Sequence, residues 1–92
     1  MMVGRKHVDL EISYRDGRPR LGYLYLSEPG EKSARSRRIS AELVIDLNQD
    51  GQLIGIELLD PEHTTLEAIN EVLKQHGVEP VQESDLKPIL AA

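Results

Sequence analysis

Five residues spaced as Asp46-x-Asn48-x-Asp50-Gly51-x5-Glu57 satisfy the pattern of a helix-flanked calcium loop letter for letter. The chemistry such a loop performs is the wrapping of a hard cation in oxygens. Positions one, three and five supply side-chain oxygens, a glycine at position six permits a sharp turn, and a glutamate at position twelve clamps the ion with both of its oxygens. Leu53 even takes the usual apolar position eight. The flanking sequence argues against the loop. A calcium loop needs a helix entering and a helix leaving, whereas Ile39, Ala41, Leu43, Ile45 and Leu47 alternate with period two, and Glu57 sits inside a second β-like run. In an extended strand Glu57 lies about 20 Å along the chain from Gly51. In a hairpin the position facing Asp46 falls near Leu53, not Glu57. The expectation is therefore a plain hairpin and no metal site. The alternative is a weak, loop-only divalent-ion contact at Asp46, Asn48 and Asp50.

Other residue types that can do chemistry are present but not arranged for it. His7, His63 and His76 are scattered, with no pair at the i, i+4 spacing of a helical zinc site. His76 falls at the end of an expected helix, where a cation favours the dipole. No serine lies in Gly-x-Ser-x-Gly, and there is no phosphate-cradling glycine loop. Glu57 with Asp46 or Glu42 would make a carboxylate pair, but charged strand residues facing solvent are far commoner. With no cysteine in the chain, thiolate nucleophiles and disulfides are excluded. No catalytic residue, no cofactor and no enzyme activity is expected.

Arg35-Ser36-Arg37-Arg38, with Lys32, offers positive charge to phosphates. Nucleic-acid surfaces usually add stacking aromatics and a basic overall field. Here the segment has no aromatic residue and the net charge is −5, so nucleic acid is not the expected partner. The charge is uneven. Residues 1–38 hold nine Lys/Arg against five Asp/Glu, or +4, and residues 39–92 hold two against eleven, or −9. Such asymmetry can mark an interaction tail or patch, and the expectation here is that basic loops offset acidic strand ends within one fold.

The elements that must position these residues are readable from periodicity. Val8, Leu10, Ile12 and Tyr14 alternate with polar residues, Asp16-Gly17 favours a tight turn, and Leu21–Leu26 is rich in Leu and Tyr, so strands are expected over 8–14 and 21–26. Residues 27–38 are polar and small and read as a loop. Strands over 39–47 and 52–59 flank Asn48-Gln49-Asp50-Gly51, the strongest hairpin signal in the chain. After Asp60-Pro61 the period changes. Thr64-Thr65-Leu66-Glu67 reads as a capping box, with the Thr64 hydroxyl on the Glu67 amide, and Leu66, Ile69, Val72 and Leu73 share one face of a helix over 65–76, closed by Gly77.

The stretch from Leu43 to Leu59, with its Asp46-Leu47-Asn48-Gln49-Asp50-Gly51 turn and Gly55-Ile56-Glu57, resembles the family catalogued as domain of unknown function 2283. Tyr23-Leu24-Tyr25-Leu26 is similar to that family's upstream Tyr-bearing strand. The likeness runs from about Tyr14 to Asp60. The 27–38 loop is long by comparison, and the helix and tail lie beyond it. The resemblance implies a small β-sheet-plus-helix fold and a binding role beside small partner proteins, and it carries no assigned activity.

At 92 residues the chain fits one domain. The expected fold is α+β: a four-stranded, mainly antiparallel meander sheet followed by one amphipathic helix on one face. Residues 1–77 form the domain, and 78–92 form a tail that is extended or packed on the sheet or on a partner. With no Phe or Trp, the core is built from Leu, Ile and Val, and oligomerisation is a common supplement at this size. No apolar run approaches a bilayer span, and Met1 to Lys6 lacks the apolar segment of a secretory leader, so a cytoplasmic protein is expected. One helix cannot cover both sheet faces. Tyr23, Tyr25, Val44, Leu53 and Leu59 are expected on the uncovered face, as the interface of a homodimer or the seat of another small protein. A non-enzymatic, self-associating interaction module is the leading reading, and the divalent-ion protein is the alternative.

Overall fold

The computed structural model describes residues 8–27 and 30–86. Five strands form one antiparallel sheet: β1 (Asp9–Arg15), β2 (Arg18–Tyr25), β3 (Arg35–Arg38), β4 (Leu43–Leu47) and β5 (Leu53–Leu58). A 3-10 turn at Pro61–His63 leads to helix α1 (Leu66–Gln75), and a second 3-10 turn closes the described chain at Glu83–Leu86.

The α+β class and the antiparallel pairing follow the sequence pattern, but the strand count and order do not. The order across the sheet is β1-β2-β5-β4-β3. A continuous meander would set β2 beside the strand containing Ile45. Instead β2 pairs with β5, which becomes the centre of the sheet. The chain leaves β2 at Tyr25, crosses one end of the sheet and re-enters at the far edge as β3, a strand in the segment expected to be loop. Arg35–Arg38 is exposed at all four positions, so its pairing with β4 is a backbone ladder with no buried side chain beneath it. Charged residues on such an edge also discourage pairing with other chains.

Two turns follow their sequence signals. Asp16 and Gly17, at φ 54° and 77°, make the two-residue β1–β2 turn. In the β4–β5 hairpin the Gly51 amide donates to the Asn48 carbonyl at 3.0 Å, the Asn48 amide donates to the Gln52 carbonyl at 2.9 Å, and Gly51 takes φ 81°. Asn48 is the hub of this turn. Its Oδ1 accepts from the amides of Asp50 (3.0 Å) and Gln52 (2.9 Å), and its Nδ2 donates to Gln52 Oε1 (2.9 Å) and to Glu31 Oε1 (2.8 Å). The last bond ties the crossing connection to the sheet end.

The core cluster lies on one face, and Ile54, also buried, stands outside it. Leu24, Leu43, Ile45, Ile56 and Leu58 from the sheet meet Ile69, Val72 and Leu73 of α1, and Val8, Leu10 and Ile12 pack against them. Gly22 lies against Ile12 and Leu58 on this face. The segment after α1 joins the same layer. Val81 and Leu86 are core residues, and the Asn70 side chain clamps the backbone of Val81 with two bonds, of 2.8 and 3.2 Å. Residues 78–86 therefore pack on the helix side of the sheet. Ile89 and Leu90, other apolar residues of the tail, lie outside the described residues.

The helix start differs from the expected capping box. Thr65 is the N-cap, accepting from the Ala68 amide at 3.1 Å, while the Thr64 hydroxyl donates to the Asp60 carbonyl at 2.7 Å. The 3-10 turn at Pro61–His63 consumes Thr64 and moves the helix start on by one residue. Three residues after Thr65 stands Ala68, so no carboxylate can complete a box.

Candidate functional site

With α1 and residues 78–86 on one side, the opposite sheet face is left without a covering element among the described residues. Register places two rows of side chains across it. One row runs Asp9, Tyr25, Gly55, Asp46, Ser36, and the next runs Glu11, Tyr23, Glu57, Val44, Arg38. Tyr23 and Tyr25 stand on the open face, and Leu24 and Leu26 are in the core.

Tyr23 is the best-anchored side chain of this face. It leans across β5 and donates from its hydroxyl to Asp46 Oδ2 at 2.7 Å on β4, two strands away. Gly55 makes this reach possible. A Cβ at position 55 would overlap the Tyr23 ring and hydroxyl, so the glycine is a floor on which the ring lies. Asp46 Oδ1 accepts from the Ser36 hydroxyl of β3. One carboxylate thus stitches β2, β4 and β3 together over the backbone of β5. Partial burial, then the bond to Asp46 and its charge, push the Tyr23 phenol well above its usual range, so it stays a donor. Tyr25 meets Tyr23 edge to face at 4.6 Å and donates to Glu11 Oε1 at 3.2 Å. Its phenol is also raised, by desolvation first and then by Glu11. Both rings are held in fixed planes.

Beside them a pocket of about 180 Å³ opens between β1, β2 and β5, lined by Glu11, Ser13, Leu21, Gly22, Tyr23 and Glu57. Leu21 is 42 % exposed. At the β3 edge, Arg38 is held by its Nε on the Ser40 carbonyl (3.1 Å) and by an Nη on the Ala41 carbonyl (3.2 Å). A guanidinium has five N–H donors, so others remain for a partner.

Of the residues expected at an interface, Tyr23, Tyr25 and Val44 are on the open face, and Leu59 is half-buried at the end of β5. Leu53 is not. It is 8 % exposed and belongs to the core. The cause is an irregularity in the β4–β5 ladder: Asp46 pairs with Gly55 but Leu47 pairs with Leu53, which leaves Ile54 without a partner on β4 and reverses the faces before it. Asp46 faces Gly55 rather than Leu53.

The calcium-loop residues are drawn apart. The Asp46 carboxylate lies on the open face among Tyr23 and Ser36, the Asn48 oxygen serves the turn amides, Asp50 is exposed at the turn, and Glu57 lies opposite Val44. Among the described residues, no three His, Cys, Asp or Glu side chains are grouped to hold a metal ion.

The comparison with known families meets this geometry directly. Residues 22–60 match the family described as a protein of unknown function, DUF2283. That stretch is the one the sequence resemblance centres on. No curated protein and no solved structure matches the chain. The DUF2283 stretch begins at Gly22 in β2 and ends at Asp60, so it contains Tyr23, Ser36, Asp46 and Gly55, the whole of the stitched cluster. β1, α1 and the segment after it lie outside the match. Among the described residues, no helix is long and apolar enough to cross a membrane.

The sequence reading set Asp46 in a plain hairpin, with a weak ion contact as the alternative, and linked neither Ser36 nor Gly55 to it. Gly55 was the available signal. An isolated glycine within an alternating strand marks a close approach by another group.

Proposed function

We propose that this chain is a non-enzymatic interaction module that associates with a second copy of itself through the open sheet face. The observation that supports this reading is the placement of α1 and of residues 78–86 on the same side of the sheet, which leaves Tyr23, Tyr25, Val44 and Leu21 together on the other. Aromatic residues whose planes are already fixed lose little freedom on docking. A small Leu/Ile/Val core gains from a partner, and closed two-fold symmetry is the commonest way to supply one. The chain has no cysteine, which suits the reducing cytoplasm, the compartment we assign to it.

Light scattering on the full chain tests the reading. The wild type should have the mass of a dimer, and Val44→Glu, which sets a charge in the middle of the face, should be a monomer. A wild type that is monomeric at every accessible concentration refutes self-association. A Val44→Glu dimer moves the interface off this face.

A further inference from the structure

Resting on the dimer reading above, we infer that the two-fold axis runs along β5, so that the Arg38 guanidinium of each copy enters the partner's pocket beside Glu11. The order of charges across the open face carries the argument. In the row Glu11, Tyr23, Glu57, Val44, Arg38, the acid stands at the β1 edge and the base at the β3 edge, with β5 at the centre. Two copies can meet face to face with aligned strands in two symmetric ways. An axis across the strands sets β1 on β1 and β3 on β3. Acid then meets acid at one edge and Arg38 meets Arg38 at the other. An axis along β5 sets β1 of each copy on β3 of the other. Glu11 then meets the second copy's Arg38, Tyr23 meets its Val44, and Asp9 meets its Ser36.

The shape of the face agrees with the second arrangement. The pocket of about 180 Å³ lies on the β1 side of the axis and carries two carboxylates, Glu11 and Glu57. Arg38 is the single cation of its row and is held at the β3 edge by two backbone carbonyls, with donors to spare. The pocket and the cation are on opposite sides of β5, as reciprocal insertion across this axis requires. The two Glu57 carboxylates face each other at the axis, separated from each Arg38 by a Tyr23–Val44 contact, so the attraction lies at the two edges and the like-charge cost at the centre. Interfacial pairs of this kind fix register and exclude wrong alignments more than they add affinity.

The experiment is a charge exchange on the full chain, read as a dimer dissociation constant by sedimentation equilibrium. Glu11→Arg and Arg38→Glu should each weaken the dimer about tenfold or more, because each sets like charges against each other at both contacts. Glu11→Arg and Arg38→Glu chains mixed in equal amounts should recover wild-type affinity as a heterodimer, since both contacts then pair opposite charges. The double variant should recover it too, which controls for any loss of the Arg38 bonds to its own turn. If each single variant dimerises as the wild type does, or if mixing restores nothing, this axis is wrong while the dimer reading stands. If the wild type never dimerises, the dimer reading itself has failed.

Discussion

Substituting Gly55 with alanine builds a Cβ where the Tyr23 ring and hydroxyl lie. The neighbour it meets is the far end of a long side chain, so the ring swings away and the backbone stays. What is lost is the bond from the phenol to Asp46 at 2.7 Å, a hydrogen bond to a charged group worth about 1.5–3 kcal/mol. What is gained is the strand preference of alanine over glycine, about 0.5–1 kcal/mol. The net expectation is a loss of about 1–2 kcal/mol. The sign should reverse when the ring is absent. In a Tyr23→Ala background the floor position is empty, and Gly55→Ala should stabilise by about 0.5–1 kcal/mol. The assay is urea unfolding of the four proteins of this cycle, followed by circular dichroism, with equal slopes required before free energies are compared. A Gly55→Ala penalty of the same size in both backgrounds would refute the account, because the glycine would then be needed for some reason other than the tyrosine above it.

Three further outcomes follow from the local geometry. Thr65→Ala should cost about 1 kcal/mol through loss of the N-cap bond, with Thr65→Ser close to neutral; the denaturation midpoint is the readout. Asn48→Ala should cost about 2–3 kcal/mol, since it strips two amides and two side-chain acceptors of their shared partner, and hydrogen exchange of the Asp50 and Gln52 amides should accelerate. The bond to Asp60 at 3.0 Å, and then the Asp60 charge, raise the folded pKa of His63 above the usual 6.5. Its contribution to stability is therefore complete below pH 6.5 and fades as the pH rises through the folded value. Nuclear magnetic resonance of the ring should show a midpoint above 6.5 that falls back in Asp60→Asn; an unmoved midpoint would assign the shift elsewhere.

The two hairpin turns and the amphipathic helix were legible because each has a local cause. Asp16-Gly17 and Gly51 supply the positive φ angles, and the period of Leu66, Ile69, Val72 and Leu73 belongs to one element. β3 was not legible because Arg35-Ser36-Arg37-Arg38 buries no side chain, and a strand without a buried face leaves no alternation to read. The strand order was hidden for a related reason: the partner of β2 is fixed by a ladder between distant residues, not by a turn. Leu53 was placed on the wrong face because alternation was carried through an irregularity at Ile54 that the residue types do not announce. Thr64 and Thr65 are chemically equivalent caps, and only the 3-10 turn before them decides which is used.

The crossing from β2 to the far edge divides the chain into two pieces of very different reach. The β1–β2 hairpin and the β3-β4-β5 run each close through neighbouring residues, whereas the seam that unites them pairs residues 30 to 36 apart, from Tyr25 with Gly55 to Gly22 with Leu58. Closing a loop of that length must precede any reward from the contacts, so formation of this seam should limit the folding rate. The order of synthesis sharpens the point. β5 is the last strand to be made, and until it emerges the inner edges of β2 and β4 have no neighbour in the chain. A nascent chain halted before Leu53 presents two bare strand edges, the condition under which misassembly begins. Pulsed hydrogen exchange during refolding should find the β1–β2 and β3–β4 amides protected before those of the β2–β5 seam, and simultaneous protection of all three would show that the sheet condenses as one unit.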